Sequence, residues 1–169
     1  MRTIPDPGFT DDDGGVDPVV AAALAAYDEE PEPGQHNTAL AALQDARVLV
    51  PVVAVLGEVE YDEQGLAHDK TSDMAAVLMT GRDGRTALLA FTGNAGMAQW
   101  NPEARPVPVP LRQAARAALQ DEATALLLDV AGPVMFVVEG EELTALAAGD
   151  RLVRVESGWG WARAAHDVQ

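Results

Sequence analysis

The chain contains no cysteine, and this absence removes several classes of chemistry at once. Disulfides, thiolate metal sites and cysteine nucleophiles are all excluded. A sequence without cysteine is compatible with a reducing compartment, so we expect a cytoplasmic protein. No signal peptide is expected either, because acids follow the first residues where an apolar segment would be needed.

Long apolar runs and positive charge are also scarce. The longest apolar run extends from Val48 to Leu56, which suits a strand and falls far short of the ~20 residues that span a membrane. Lys and Arg number 11 against 27 Asp and Glu, so the net charge is −16. Neither nucleic acid nor an anionic membrane is an expected partner, because both require a concentrated basic surface.

Acidic residues are concentrated near the N-terminus. Residues 1–36 carry one Arg against nine acids, so half of the net charge lies on about a fifth of the chain. Residues 1–16 offer no apolar face to bury. We therefore predict an acidic, largely disordered segment over 1–36, a domain over 37–156 and a C-terminal tail over 157–169. Asp17 and Pro18 can begin a short helix that reaches Tyr27, and the sequence leaves open whether it docks on the domain.

The clearest local signal is a hairpin. Apolar runs over 74–79 and 86–91 flank a turn that contains Asp83 and Gly84, a typical hairpin dipeptide. A second strand pair is predicted over 125–130 and 134–138. Residues 57–73 are predicted to be a loop or an extended hairpin arm. Helical patterns separate the strand pairs, and this order predicts an α+β single domain with a mixed β-sheet of five or six strands and about four helices.

Two blocks of sequence carry a resemblance to a known family. The first runs from Asp83 to Thr92 with Trp100 downstream, and the second runs from Ala125 to Pro133 and leads to Gly149. A Phe-Thr pair before a short helix ending in tryptophan, and an aspartate before a Gly-Pro turn, make residues 38–150 resemble the N-terminal domain of the SseB family. The resemblance implies an α+β domain with no established catalytic residues and an unclear biochemical function.

No catalytic residue, metal site or cofactor is predicted. Ser72 and Ser157 are the two serines, and neither lies in a nucleophile motif. The histidines occupy predicted loops or tails without ligand spacing; they are His36, His68 and His166.

Asp129 is an exception among the acids, because it ends an apolar run. Its side chain is expected to cap the turn at Gly132. The alternative is a possible ligand site, in which a small-molecule binder or an enzyme uses acidic residues near Asp129.

Three tryptophans are the remaining signal, in a chain with 5% aromatic residues. Trp159, Trp161 and Trp100 are the predicted partner-binding residues, because tryptophan dominates interface hot spots. The alternatives are that Trp100 belongs to the core and that Trp159 and Trp161 pack back onto the sheet. The sequence thus predicts a non-catalytic binding or regulatory module for an unknown protein partner or for self-association.

Overall fold

A computed structural model describes residues 12–55, 59–61, 67–69 and 73–163. Within these ranges the helices are α1 (Pro18–Glu29), α2 (Pro33–Gln44), α3 (Asn94–Trp100), α4 (Leu111–Gln120) and α5 (Gly140–Ala147). The strands are β1 (Arg47–Val55), β2 (Val59–Tyr61), β3 (Ala67–Asp69), β4 (Asp73–Ala76), β5 (Leu78–Thr80), β6 (Thr86–Ala90), β7 (Arg105–Pro110), β8 (Ala125–Leu128), β9 (Phe136–Glu139), β10 (Arg151–Val155) and β11 (Gly158–Ala162).

The strands form two larger sheets and two hairpins. One sheet has the order β4-β1-β7, and the other has the order β5-β6-β8-β9 with β6 and β8 parallel. Backbone hydrogen bonds of 2.7 and 2.8 Å between Leu49 and Phe91 join β1 to the end of β6 and connect the two sheets. The predicted single α+β domain is confirmed, but the strands are divided among several sheets and the helices in the described ranges number five.

The predicted hairpin is confirmed for the residues nearest its turn. Leu78 pairs with Leu88 and Thr80 with Thr86, across a turn in which Gly84 has a φ of 84°. The predicted strand over 74–79 is interrupted at Val77, whose carbonyl accepts a hydrogen bond from the Leu89 N–H. Residues before Val77 pair with β1 instead of β6. This change of partner is the reason that two sheets replace the predicted one.

Pro51 lies in the central strand of its sheet. Leu49 directs its N–H and C=O to Phe91, so alternate residues of β1 face that side. Pro51 falls between this bridge and the first pair with β4, at Val52. The missing N–H therefore faces the side of β1 away from β7, where Pro51 has no strand partner, and a strand tolerates proline at such a position.

The alternation of proline and valine in β7 makes this strand an edge that cannot be extended. Pro106 and Pro108 are paired with Pro51 and Leu49, the β1 residues whose backbone groups face away from β7. The nitrogens of these prolines consequently lie on the outer side of β7. An edge without N–H donors cannot template another strand.

One face of the four-stranded sheet carries the main core, covered by α1, α2, α4 and α5. The sheet residues of this core are Leu88, Ala90, Leu126, Leu128, Phe136 and Val138, and all are buried. Opposing them, α4 contributes Leu111 and three alanines at helical spacing, as its apolar pattern predicts.

The N-terminal part of the described chain is ordered against the domain. Asp17 caps α1 by accepting from the Val19 N–H at 2.8 Å, as predicted from the Asp-Pro pair. Val20 and Leu24 are 2% and 4% exposed in the main core. Because these α1 side chains lie in the core, the packed domain includes α1. The predicted boundary at residue 36 lies inside α2, which begins at Pro33. Residues 1–11 of the predicted disordered segment lie outside the described residues.

Residues 157–169, predicted to be a tail, contain β11, which pairs with β10. Over the predicted loop or hairpin arm at 57–73, β2 pairs with β3, which agrees with the hairpin alternative. Among the helices of the described ranges, none is long and apolar enough to cross a membrane.

Candidate functional site

Asp129 and Thr92 meet where the parallel strands β6 and β8 end. The Asp129 carboxylate accepts one hydrogen bond from the Thr92 N–H at 2.8 Å and another from the Thr92 hydroxyl at 2.6 Å. The predicted side-chain cap of the Gly132 turn is therefore wrong. The Gly132 N–H donates instead to the backbone carbonyl of Asp129 at 2.9 Å. Parallel pairing of Ala90 with Leu128 brings Thr92 beside Asp129, so the neighbouring strand supplies the donors.

Burial is the main influence on the charge of Asp129, which is 3% exposed. Burial raises the pKa of this carboxyl above its ordinary value, because the charged form loses hydration. The two hydrogen bonds from Thr92 oppose this effect and lower the pKa. The result is a carboxyl group that is costly to charge and well held in position.

A cavity of about 330 Å³ opens beside this pair. Ligands of open α/β sheets commonly bind where parallel strands end at their carboxyl side, and the cavity occupies this position. Its walls come from the end of β8, from α1 and from the N-terminal segment; they include Val16, Ala21, Leu24, Ala25, Asp28, Glu29, Thr92, Asp129, Pro133 and Val134. The structure thus brings the predicted ligand-site residue to a concave surface.

Arg47 connects this region to the N-terminal segment. Its guanidinium donates to the Thr92 carbonyl and to the Gly15 carbonyl, both at 2.6 Å, and to both carboxylate oxygens of Asp12. The hydrogen bonds from Arg47 lower the pKa of Asp12. Gly14 also accepts from the Asn94 N–H at 2.7 Å. The sequence offers no local signal for this contact, because Arg47 and Asp12 are 35 residues apart.

Trp100 ends α3 and lies over the second, smaller core cluster. Its ring centroid is 5.7 Å from that of Phe91. The cluster contains the buried residues Leu49, Phe91 and Met97, with Trp100 half-buried against it. The side chain therefore serves packing between α3 and the junction of the two sheets, in agreement with the core alternative.

Trp159 and Trp161 lie on one face of the β10–β11 hairpin. Both are half-buried and pack against the main core, beside Leu152, which pairs with Trp161. The Arg154 guanidinium lies 5.5 Å from the centre of the Trp159 ring. This is the predicted alternative in which the two tryptophans pack back onto the domain.

Trp161 also borders a groove of about 960 Å³. Apolar side chains from three elements contribute: Leu119 of α4, which is 41% exposed, Ala145 of α5 and Trp161 of β11. Glu141 and Arg163 are charged residues in the lining. The groove is the place where one of the predicted partner-binding tryptophans meets solvent-exposed apolar surface.

His36 contacts side chains of neighbouring elements. Its Nε2 is 2.8 Å from a carboxylate oxygen of Glu142, and its ring stacks on Phe136 at 4.6 Å between centroids. These contacts join α2 to α5 and β9. Across the described part of the chain, no group of three or more His, Asp or Glu side chains is arranged to hold a metal ion.

Comparisons with known proteins identify one family. The model of the SseB protein N-terminal domain matches residues 20–145, which is most of the chain and includes most of α1. No curated protein and no solved structure gives a significant match.

Proposed function

Since the chain belongs to the SseB protein N-terminal domain family, we propose that it is a non-catalytic binding module for a protein partner or for a second copy of itself. The observation that carries this proposal is the groove beside Trp161. Its exposed apolar wall and half-buried tryptophan have the composition of binding hot spots. The Asp129 carboxylate, by contrast, has both oxygens engaged by Thr92, which suits a structural role. We further propose that the protein acts in the cytoplasm.

The matched variants Leu119→Lys and Gln113→Lys test the proposal. Both positions lie on α4, both are exposed, and Leu119 lines the groove whereas Gln113 does not. The tagged wild-type chain is purified from its native cell, and the proteins bound to it are identified. Each of these proteins is then produced separately and titrated against the purified wild type and the two variants. We expect Leu119→Lys to weaken binding by at least about tenfold, the effect of losing a hot spot, and Gln113→Lys to retain it.

Sedimentation of the same chains tests self-association. A concentration-dependent dimer that Leu119→Lys dissociates and Gln113→Lys preserves would identify the partner as a second copy. A monomer that retains no protein, or binding that Leu119→Lys leaves unchanged, would contradict the proposal.

The second candidate is a small-molecule binder, or an enzyme, that uses the acidic residues near Asp129. The cavity of about 330 Å³ at the ends of the parallel strands favours it. Asp28 and Glu29 join Asp129 in the lining, so a ligand with a cationic group and an apolar body is expected. A thermal-shift screen of small amines tests this candidate. A compound that stabilises the wild-type chain and fails to stabilise Asp129→Asn would support it.

A further inference from the structure

A side chain covers the outer edge of β10 at Leu152. The amide of Gln44 accepts from the Leu152 N–H at 2.9 Å and donates to the Leu152 carbonyl at 2.6 Å. It thereby satisfies the two outward backbone groups of Leu152. Gln44 and Leu152 are 108 residues apart, so this contact depends on the packing of α2 against the hairpin.

The same contact determines which way the backbone of β11 faces. In an antiparallel pair, residues at non-hydrogen-bonded positions both direct their N–H and C=O groups away from each other. Leu152 uses its groups on Gln44, so its pair with Trp161 is of this kind. Trp159 lies two residues earlier and has the same orientation. Two N–H and two C=O groups of β11 therefore point outward from the hairpin.

The outward edge of β11 differs from the edge of β7 and from the covered part of β10. Prolines remove the donors along the outer side of β7, and Gln44 covers β10 at Leu152. No backbone hydrogen bond in the described ranges engages the outward groups of Trp159 or Trp161. An edge with free donors and acceptors is a template for another extended chain.

The charges around the adjacent groove indicate which extended chain would fit. Glu141 is exposed in its lining, and the exposed acids Asp121 and Glu122 lie between the lining residues Leu119 and Ala123. Arg163 is a cation in the lining. A chain with net charge −16 attracts a basic partner and repels its own copy.

We propose that β11 binds a basic, extended peptide segment of a protein partner by strand addition, with side chains of the peptide entering the groove beside Trp161. Main-chain hydrogen bonds to Trp159 and Trp161 supply affinity, and alternate side chains supply specificity. A lysine or arginine of the peptide suits the groove. The apolar part of such a side chain can lie on Leu119 and Trp161 while its charged group reaches Glu141. The inference rests on the proposed function and deepens it by naming the edge and the partner's chemistry.

The test compares Trp161→Pro with Trp161→Ala. Both variants lose the indole ring, and only proline loses the outward N–H, which is not used in pairing with β10. The probe is a short fluorescent peptide of alternating lysine and valine, with a glutamate–valine peptide as its acidic counterpart. We expect Trp161→Pro to bind the basic peptide at least about tenfold more weakly than Trp161→Ala, because the donor at the edge is absent.

Charge is tested with Glu141→Lys and the control Glu103→Lys. Glu103 is exposed and does not line the groove. Glu141→Lys should weaken binding of the basic peptide by about tenfold, and Glu103→Lys should leave it within about twofold. These charge variants keep the test valid even where Trp161→Pro fails to fold, which circular dichroism reveals.

Three outcomes would overturn the inference. They are equal affinity for the acidic and basic peptides, equal binding by Trp161→Pro and Trp161→Ala when both fold, and a dimer that only Trp161→Pro dissociates. A native partner whose binding is lost in Leu119→Lys and unchanged in both Trp161 variants would refute strand addition while the proposed function stands. Failure to capture any partner would instead count against the proposed function.

Discussion

Asp129 combines a φ of 55° with near-complete burial. Aspartate and asparagine are the non-glycine residues that best tolerate this backbone conformation, and both can accept the Thr92 N–H. Among the residues whose burial the structure describes, Asp129 is the one ionisable residue that is buried. Its side chain therefore fixes the end of β8 to the end of β6 at an electrostatic cost.

That cost gives a prediction for Asp129→Asn. Because the folded pKa of Asp129 is raised above its ordinary value of 3.8, its contribution to stability is fully present below that value and is lost as pH rises through the folded pKa. We expect the stability of Asp129→Asn relative to wild type to improve over this rise in pH. Urea denaturation at a series of pH values measures it.

Asp12 provides a control of opposite sign. Arg47 lowers the pKa of Asp12, so the stability from this pair is present above the ordinary pKa and is lost as pH falls through the folded one. Asp12→Asn should therefore have a lower free energy of unfolding than wild type at neutral pH. On acidification, its free energy of unfolding should fall by less than that of wild type. A relative stability of Asp129→Asn that declines with rising pH would contradict the assignment of burial as the dominant effect.

At the scale of elements, α1 shows how a short helix with unfavourable ends is made stable. Its C-terminus carries acids, which oppose the helix dipole. The Asp17 cap and the burial of Val20, Ala23 and Leu24 against the main core offset this. If the domain began at residue 37 as predicted, deletion of residues 1–36 would leave its stability unchanged. Because α1 is docked, we expect this deletion to expose apolar core surface instead.

Leu24→Ala tests the docking of α1. We expect it to lower the free energy of unfolding by about 2–4 kcal/mol, the usual result of truncating a buried leucine. Val19→Ala is the matched control, because Val19 is 67% exposed on the same helix, and it should change stability by less than about 0.5 kcal/mol. Chemical denaturation measures both. Equal and small effects would show that α1 is dispensable to the core.

For the whole molecule, the dominant long-range quantity is the charge of −16. The arginines of the described chain that form ion pairs include Arg47, Arg85 and Arg151, each beside an aspartate. The net charge already counts these arginines, so their ion pairs leave the acidic excess unchanged. A compact chain with such an excess repels itself, and dissolved salt screens the repulsion.

Screening predicts that the melting temperature rises as sodium chloride increases from about 0.01 to about 0.15 M, over which the Debye length shortens from about 30 to about 8 Å. Tetramethylammonium chloride at equal ionic strength should give the same rise, because screening does not depend on cation identity. Scanning calorimetry makes the comparison. A melting temperature that falls with salt would show that ion pairs outweigh the repulsion.

Features that depend on neighbouring residues were determined by the sequence alone. The turn around Asp83 and Gly84, the start of α1 at Asp17 and the close of α5 before Gly149 each rely on groups within a few residues of one another. The α+β class follows from the order of these elements. The family resemblance rests on the same local blocks.

Tertiary structure alone decided which partners these elements meet. The division of the predicted strand at Val77, the choice of Thr92 as the donor to Asp129 and the contact of Gln44 with Leu152 all join residues distant in sequence. The sequence pattern around a residue predicts whether its side chain will be buried and whether it can form hydrogen bonds. The pattern does not predict which of many suitable partners will be adjacent once the strands pair. That pairing depends on the free energy of the whole fold.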